Sequence, residues 1–314
     1  MACYDFSAYR IPQSQLESID PEFEPFKYGE TLSDSLFVPE KTILELRRKI
    51  LTQEPLIAIE NAFDIPELPT TPTEFEPSES KYWWPIANSA NAILHKLGLR
   101  PCSYRSENNG RLYVNLVANR ENQKSQGGMR GHTDALAHRQ PQEQIVGESP
   151  SPDYVVLLVL RNPQLTPTMV ASLSDVLELL SSSAIEELKL AQFMAYPQGT
   201  FDIERALVNV PILFQKPFAI RFSHSKILAS KDSVNFEAAN SAIKELSEAI
   251  SACAKPVAGK PGSIYLVNNR VAIHGRKPPG SMVEGNSRWL IRTYGMSQDI
   301  ETISEPETPH ILIP

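Results

Sequence analysis

The chain has 314 residues, 41% of them hydrophobic and 21% charged, and a net charge of −7. This is the composition of a folded globular protein, long enough for one large β domain or two small ones. The absence of a basic block argues against nucleic acid or an anionic membrane as partner, and no apolar run approaches the ~20 residues needed to span a bilayer.

The first residues, Met1 to Ser7, carry neither a basic segment nor an apolar run, so no secretory signal is read there. Cys3, Cys102 and Cys253 are scattered and form no Cys-x-x-Cys pair, the pattern of a reduced, cytoplasmic protein without a structural zinc site. Residues 1 to about 38, rich in Pro and acidic side chains, read as an irregular arm. In 41–53, apolar Ile43, Leu44, Leu46, Ile50 and Leu51 fall at helical spacing, and 56–59 follows as a buried strand. Residues 82–97 read as a second helix, stopped by Gly98.

From Arg111 the texture changes. Residues 111–118 form a strand candidate, and after a polar stretch comes the segment 127–135. Beyond a polar loop at 140–153, residues 154–160 are the strongest buried-strand run in the chain. Ser174 is placed as the cap of a helical region over 175–190, and 240–252 as a further amphipathic helix. Strands at 217–222, 263–267 and 288–294 complete the β series. Many short strands, with helices in front and inserted in the middle, predict a mainly β fold with helical additions, a double-sheet jelly roll. A doubly wound sheet is disfavoured, because strands and helices do not alternate and no Gly-rich phosphate loop follows a strand. On this reading residues 1–314 are a single domain: an arm and helical scaffold over 1–100, a jelly-roll core over 101–300 with a helical insertion at about 172–255, and a tail over 301–314.

The chemistry concentrates in Gly127-Gly-Met-Arg-Gly-His132-Thr-Asp134-Ala135. In an extended strand, side chains two apart share a face, so His132 and Asp134 are expected to reach one metal ion while Thr133 points away. The segment around His274 is the best candidate to complete the site, since two imidazoles and one carboxylate with open positions suit non-haem Fe(II) oxygen chemistry. A metal-chelating 2-oxo acid also needs a cation for its far carboxylate, and Arg supplies a two-donor fork. Arg288, at the start of the next apolar strand, is placed to do so. His138 is read as lining the entrance, His95 as structural, and Trp289 as packing on the outer face of its strand.

Gly131-His-Thr-Asp-Ala135, then 154–162, then Val267-Asn-Asn-Arg-Val-Ala-Ile-His274-Gly-Arg276, then Gly285-Asn-Ser-Arg288-Trp-Leu-Ile-Arg292 together resemble the clavaminate synthase-like family. These are Fe(II)/2-oxoglutarate oxygenases related to taurine dioxygenase, with members that hydroxylate free arginine, lysine and asparagine. The resemblance covers about residues 110–294 and is most specific in its last segment. It implies a double-stranded β-helix (jelly-roll) oxygenase core with Fe(II), 2-oxoglutarate and O₂ as cofactor and co-substrates. His132, Asp134 and His274 would be the iron ligands, Arg288 and Thr168 would bind 2-oxoglutarate, and Arg292 would help hold 2-oxoglutarate or a substrate carboxylate. The implied reaction is hydroxylation of an unactivated C–H bond in a small amino acid or amino-acid-derived metabolite, coupled to decarboxylation of 2-oxoglutarate to succinate.

Departures from the family pattern bear on the substrate. Asp134 stands where many relatives have Glu, and halogenating relatives have Gly or Ala there, so hydroxylation is expected. Val114-Asn115 replaces a Gln-Asn pair that contacts the substrate amine. Ser223-His224-Ser225 stands where arginine hydroxylases grip the guanidinium with two acidic residues. An unpaired buried cation is costly, so a neutral or acidic substrate is expected. Asn115, Ser223, His224, Ser225 and Arg292 are the candidate substrate contacts. The rival readings are a zinc hydrolase on the same triad, an oxygenase that desaturates or cyclises its substrate, and a binding protein that has kept only the fold.

Overall fold

The computed structural model describes residues 1–73, 81–117, 127–143, 147–216, 218–278 and 285–313. The first strand, β1 (Ala2–Asp5), runs parallel to β2 (Leu56–Glu60), with Ala2 opposite Ile57. Between them lie helices Gln13–Leu16, Pro25–Ser33 and Glu40–Leu51. The first 38 residues are therefore not an irregular arm. Their order comes from a distant partner: Asn88 Nδ2 donates to the carbonyls of Leu16 and Ile19, and Asn91 Nδ2 to that of Pro21. Pro25 stands in the first turn of its helix, where a missing N–H costs nothing.

Helix Glu40–Leu51 buries Ile43 and Leu46, while Leu44 and Leu51 face outward, so its apolar stripe is narrower than the sequence suggests. Helix Trp84–Lys96 is buried from Pro85 to Leu94, and Gly98 takes the left-handed φ of 79° that ends it. Pro25–Ser33 packs so closely on this helix that a Cβ at Gly29 would stand 3.1 Å from the Asn91 carbonyl oxygen.

The remaining strands are β3 (Leu99–Tyr104), β4 (Val114–Val117), β5 (Met129–His132), β6 (Tyr154–Arg161) and β7 (Pro167–Ser172). They continue with β8 (Phe193–Ala195), β9 (Leu207–Val210), β10 (Leu213–Gln215), β11 (Phe218–Ile220) and β12 (Ile227–Ala229). The last are β13 (Lys255–Ala258), β14 (Ile264–Asn268), β15 (Ala272–Arg276), β16 (Trp289–Ser297) and β17 (Ile311–Leu312). The major sheet runs β1-β2-β14-β6-β16-β3-β17, with β4 also on β16, and the minor sheet runs β13-β7-β15-β5.

Val155, Leu157 and Val159 of β6 and Leu290 and Tyr294 of β16 meet Val170 and Ala272 of the minor sheet in one core. Val156, Leu158, Leu160 and Ile291 face the other way, onto the N-terminal helices. Strand β6 is thus buried on both sides, which is why its sequence is apolar without alternation. Each such Val or Leu contributes about 1.5–3 kcal/mol of burial. Behind the minor sheet, Ala171 and Ile273 pack on helix Phe236–Cys253. The molecule is mainly β with helices on its two outer sides.

Three expectations change. The region 175–190 is two helices, Leu173–Leu177 capped by Ser172 and Ser182–Lys189 capped by Ser181, because serines offer the backbone N–H groups competing caps. Among the described residues the insertion at 172–255 also holds five short strands, too brief to carry a period. The tail is tied in through β17, which pairs parallel to β3. Of the strand expected at 217–222, Pro217 lies outside the described residues. No described helix is long and apolar enough to cross a membrane.

Candidate metal and co-substrate site

Strands β5 and β15 are antiparallel neighbours, with His132 opposite His274. Opposite residues in such a pair share a face, so both imidazoles point between the sheets, ring centroids 4.5 Å apart. The ladder is irregular just beyond His274, and a Cβ at Gly275 would stand 2.5 Å from the Met129 carbonyl oxygen, so only glycine fits there.

Asp134 arrives by a different route from the one expected. The strand ends at His132, so period-two alternation does not place Asp134. The chain instead turns at Ala135, which has a φ of 53°. Asn269 secures the turn: its Oδ1 accepts the Asp134 N–H at 2.8 Å, and its Nδ2 donates to the Asp134 carbonyl at 3.1 Å. Gln198 donates from Nε2 to the Thr133 carbonyl at 3.0 Å and to Asp134 Oδ1 at 3.3 Å. Thr133 does point away, its buried hydroxyl accepting the Phe222 N–H at 3.2 Å. Asn269 belongs to the β14–β15 turn held by Arg270, which is buried on Asp153, Gln140 and Ser151.

One donor atom from each of His132, Asp134 and His274 lies within 4.8 Å of the others. His132 Nε2 is 3.3 Å from Asp134 Oδ1, and His274 Nε2 is 3.9 Å from Oδ2. His132 Nδ1 lies 2.9 Å from the Arg130 carbonyl oxygen, which can only accept, so Nδ1 carries a proton and Nε2, facing Asp134, is the nitrogen an ion would take in place of a proton. Burial pushes His274 down to about 4, with the neighbouring His132 adding to the effect. Burial would lower His132 too, but the hydrogen bond and charge of Asp134 outweigh it and its pKa is raised. Burial would raise Asp134, but the His132 hydrogen bond and the charges of His274 and His132 hold it well below the usual carboxylate range. Two imidazoles and an anionic carboxylate, already gathered, are a donor set that fits a divalent transition metal.

Just before β16, Arg288 is buried and donates from Nη2 to Thr168 Oγ1 of β7 at 3.1 Å. Its Nε has no partner, and no carboxylate among the described residues lies within ion-pair distance. Burial, with Arg276 nearby, pushes its pKa down to about 9. Thr168 rather than Thr166 meets Arg288, since the Thr166 N–H is turned into a loop onto Asn162 Oδ1. A buried cation without a counter-charge among the described residues, beside a hydroxyl, fits one end of a dicarboxylate.

Arg292 lies on the same face of β16 but already holds a partner. Its Nη1 is 2.9 Å from Glu107 Oε2 and 3.0 Å from Oε1, and it also contacts the Tyr294 hydroxyl. It is therefore not a second vacant cation for 2-oxoglutarate. Asn115 points to the opposite side, accepting the Trp289 Nε1–H at 2.8 Å, because it sits opposite Ile291; Val114, opposite Arg292, faces the site instead. Trp289 packs on the outer core as expected, edge-on to Tyr82.

Ser223 bridges to His132 and is buried beside it. His224 faces the far side of the minor sheet, 2.6 Å from Ser247 Oγ, and Ser225 is exposed. His224 lines a cleft of about 400 Å³ between β15 and helix Phe236–Cys253, away from the triad. His138 is no entrance residue: it is buried against Tyr104 and Phe201, with ring centroids at 4.3 and 5.5 Å. Glu107 and Gln198 sit in loops without periodicity or motif, so nothing in the sequence marks them.

The molecule has the fold of the non-haem iron oxygenases. A structure of asparagine oxygenase in complex with Fe(II), 2S,3S-3-hydroxyasparagine and succinate matches with a TM-score of 0.79 and 21% identity over 99% of both chains. The non-haem iron oxygenase OrfP with Fe, succinate and (3S)-hydroxy-L-Arg matches with a TM-score of 0.79 and 19% identity, over 99% of this chain and 100% of that one. By sequence, the chain is 33% identical to L-asparagine oxygenase of Streptomyces coelicolor over 151 residues. That match spans 46% of this chain and 43% of the relative. No family model matches. The likeness drawn from the motifs thus finds its counterpart in both sequence and fold.

Proposed function

We propose that the chain is an Fe(II)/2-oxoglutarate-dependent dioxygenase that hydroxylates a small amino acid or a metabolite derived from one, on a jelly-roll core. The observation that carries this reading is the gathering of His132, Asp134 and His274 within 4.8 Å, together with the buried guanidinium of Arg288, which has no carboxylate partner among the described residues. When bound, the metal with O₂ and 2-oxoglutarate would supply the oxidising power to convert C–H to C–OH, with succinate and CO₂ as co-products. The triad would hold the ion, and Arg288 and Thr168 would take the far carboxylate of 2-oxoglutarate. The two sheets bury His274 and Arg288 and leave His132 and Asp134 only partly exposed, which strengthens each charge interaction there.

The Glu107–Arg292 pair presents opposite charges next to Asp134, as an α-ammonium and an α-carboxylate require. Binding of a zwitterion would exchange partners: ammonium onto Glu107, carboxylate onto Arg292. Val114 and Ser223 bring no charge to this face, which favours a neutral or acidic side chain over a cationic one. A zinc hydrolase on the same triad would leave Arg288 buried without purpose, and no observation favours it.

The test is an anaerobic complex of the protein with Fe(II) and 2-oxoglutarate, screened with amino acids for a shift in its metal-to-ligand absorption band. A neutral or acidic amino acid should shift the band and, in air, drive succinate formation that His132→Ala and His274→Ala abolish without unfolding the protein. Arginine as the best substrate would overturn the side-chain argument; turnover without O₂ and 2-oxoglutarate would overturn the oxygenase.

A further inference from the structure

We infer that Gln198 is the positioning residue for the metal-binding carboxylate. It rests on the reading that the triad holds a metal, and goes beyond that reading by assigning the group that aims Asp134. Aspartate is one methylene shorter than glutamate, so its carboxylate has little reach with which to correct a misplaced backbone.

The structure holds this residue from two sides. Asn269 grips the Asp134 peptide through its N–H and carbonyl and fixes the backbone. Apart from His132, Gln198 is the described residue that hydrogen-bonds the carboxylate itself, through Nε2 to Oδ1 at 3.3 Å. The same amide group also donates to the Thr133 carbonyl at 3.0 Å and accepts the Leu136 N–H at 3.1 Å through Oε1. Gln198 therefore spans the turn before and after Asp134 while touching its side chain. With Oδ1 occupied, Oδ2 accepts no hydrogen bond among the described residues and is the oxygen left for an ion.

The same loop reaches the neighbouring charge pair. Two residues on, Thr200 Oγ1 donates to Glu107 Oε1 at 3.1 Å, and Phe201 bridges to Glu107 through the backbone. One short loop thus braces the metal carboxylate with Gln198 and the Glu107–Arg292 pair with Thr200. A defect at Gln198 should appear in metal binding, and a defect at Thr200 in amino-acid binding.

The experiment titrates the metal-free protein with Co(II), whose visible absorption reports both affinity and coordination geometry. Gln198→Met keeps the length and bulk of the side chain but removes both hydrogen-bonding groups. It is expected to weaken Co(II) binding about 10- to 100-fold and to alter the absorption envelope. Thr200→Val is expected to leave Co(II) affinity as in the wild type and to raise KM for the amino acid. Gln198→Met that binds Co(II) within twofold of wild type with an unchanged spectrum overturns the inference while leaving the oxygenase reading intact. Equal loss of Co(II) affinity in both variants also overturns it, because that would mark a general effect of the loop. A wild-type protein that binds no Co(II) brings down the reading and the inference together.

Discussion

Replacing Arg288 by Met should make the ligand-free protein more stable and at the same time nearly abolish its hold on 2-oxoglutarate. Arg288 is 6% exposed, and its guanidinium donates to Thr168 and has no carboxylate beside it among the described residues. Burial pushes its pKa down to about 9, more than three powers of ten below a solvated guanidinium; at about 1.4 kcal/mol for each, the charged form costs roughly 5 kcal/mol. Because the folded value lies below the unfolded one, this cost is present in full at neutral pH and fades only as the pH rises above about 9. Met keeps the apolar stem and gives up the Thr168 hydrogen bond, worth about 1 kcal/mol. The expected net gain is about 1–4 kcal/mol, read as a higher urea midpoint for the metal-free variant. Two charge-assisted hydrogen bonds to a bound carboxylate, about 1.5–3 kcal/mol each, would be lost, so the anaerobic Kd for 2-oxoglutarate should rise roughly 100-fold or more. A variant that is less stable than the parent and binds 2-oxoglutarate within tenfold of it would refute the reasoning.

Asn115→Ala should destabilise the protein by about 1–3 kcal/mol, because it leaves the buried Trp289 N–H without its acceptor, and should leave KM for the amino acid unchanged. A raised KM with an unaltered melting curve would instead return Asn115 to the substrate site. His138 should contribute to acid sensitivity: burial, with Arg221 adding, holds it at about 4. The unfolded chain takes up the proton first, so stability of about 3 kcal/mol is lost as the pH falls from roughly 6.5 to 4. His138→Gln should flatten that part of the stability profile in urea titrations at stepped pH; an unchanged slope would count against a buried neutral imidazole.

What could be read along the chain was whatever depends on residue type and local period. The run 154–160 is apolar at every position because both of its faces are buried, and Gly98 ends its helix because only a residue tolerant of positive φ can. His132, Asp134, His274 and Arg288 stood out because few side chains can ligate a metal or fork onto a carboxylate. Tertiary structure decided the rest. It placed Asp134 by a clasped turn rather than by strand alternation, set Asn115 on the far face, and joined Arg292 to Glu107 across 185 residues and Gln198 to Asp134 across 64. The physical reason is that period reports which way a side chain points, whereas a hydrogen bond needs a partner, and here the partners are loop residues delivered by the packing of two sheets.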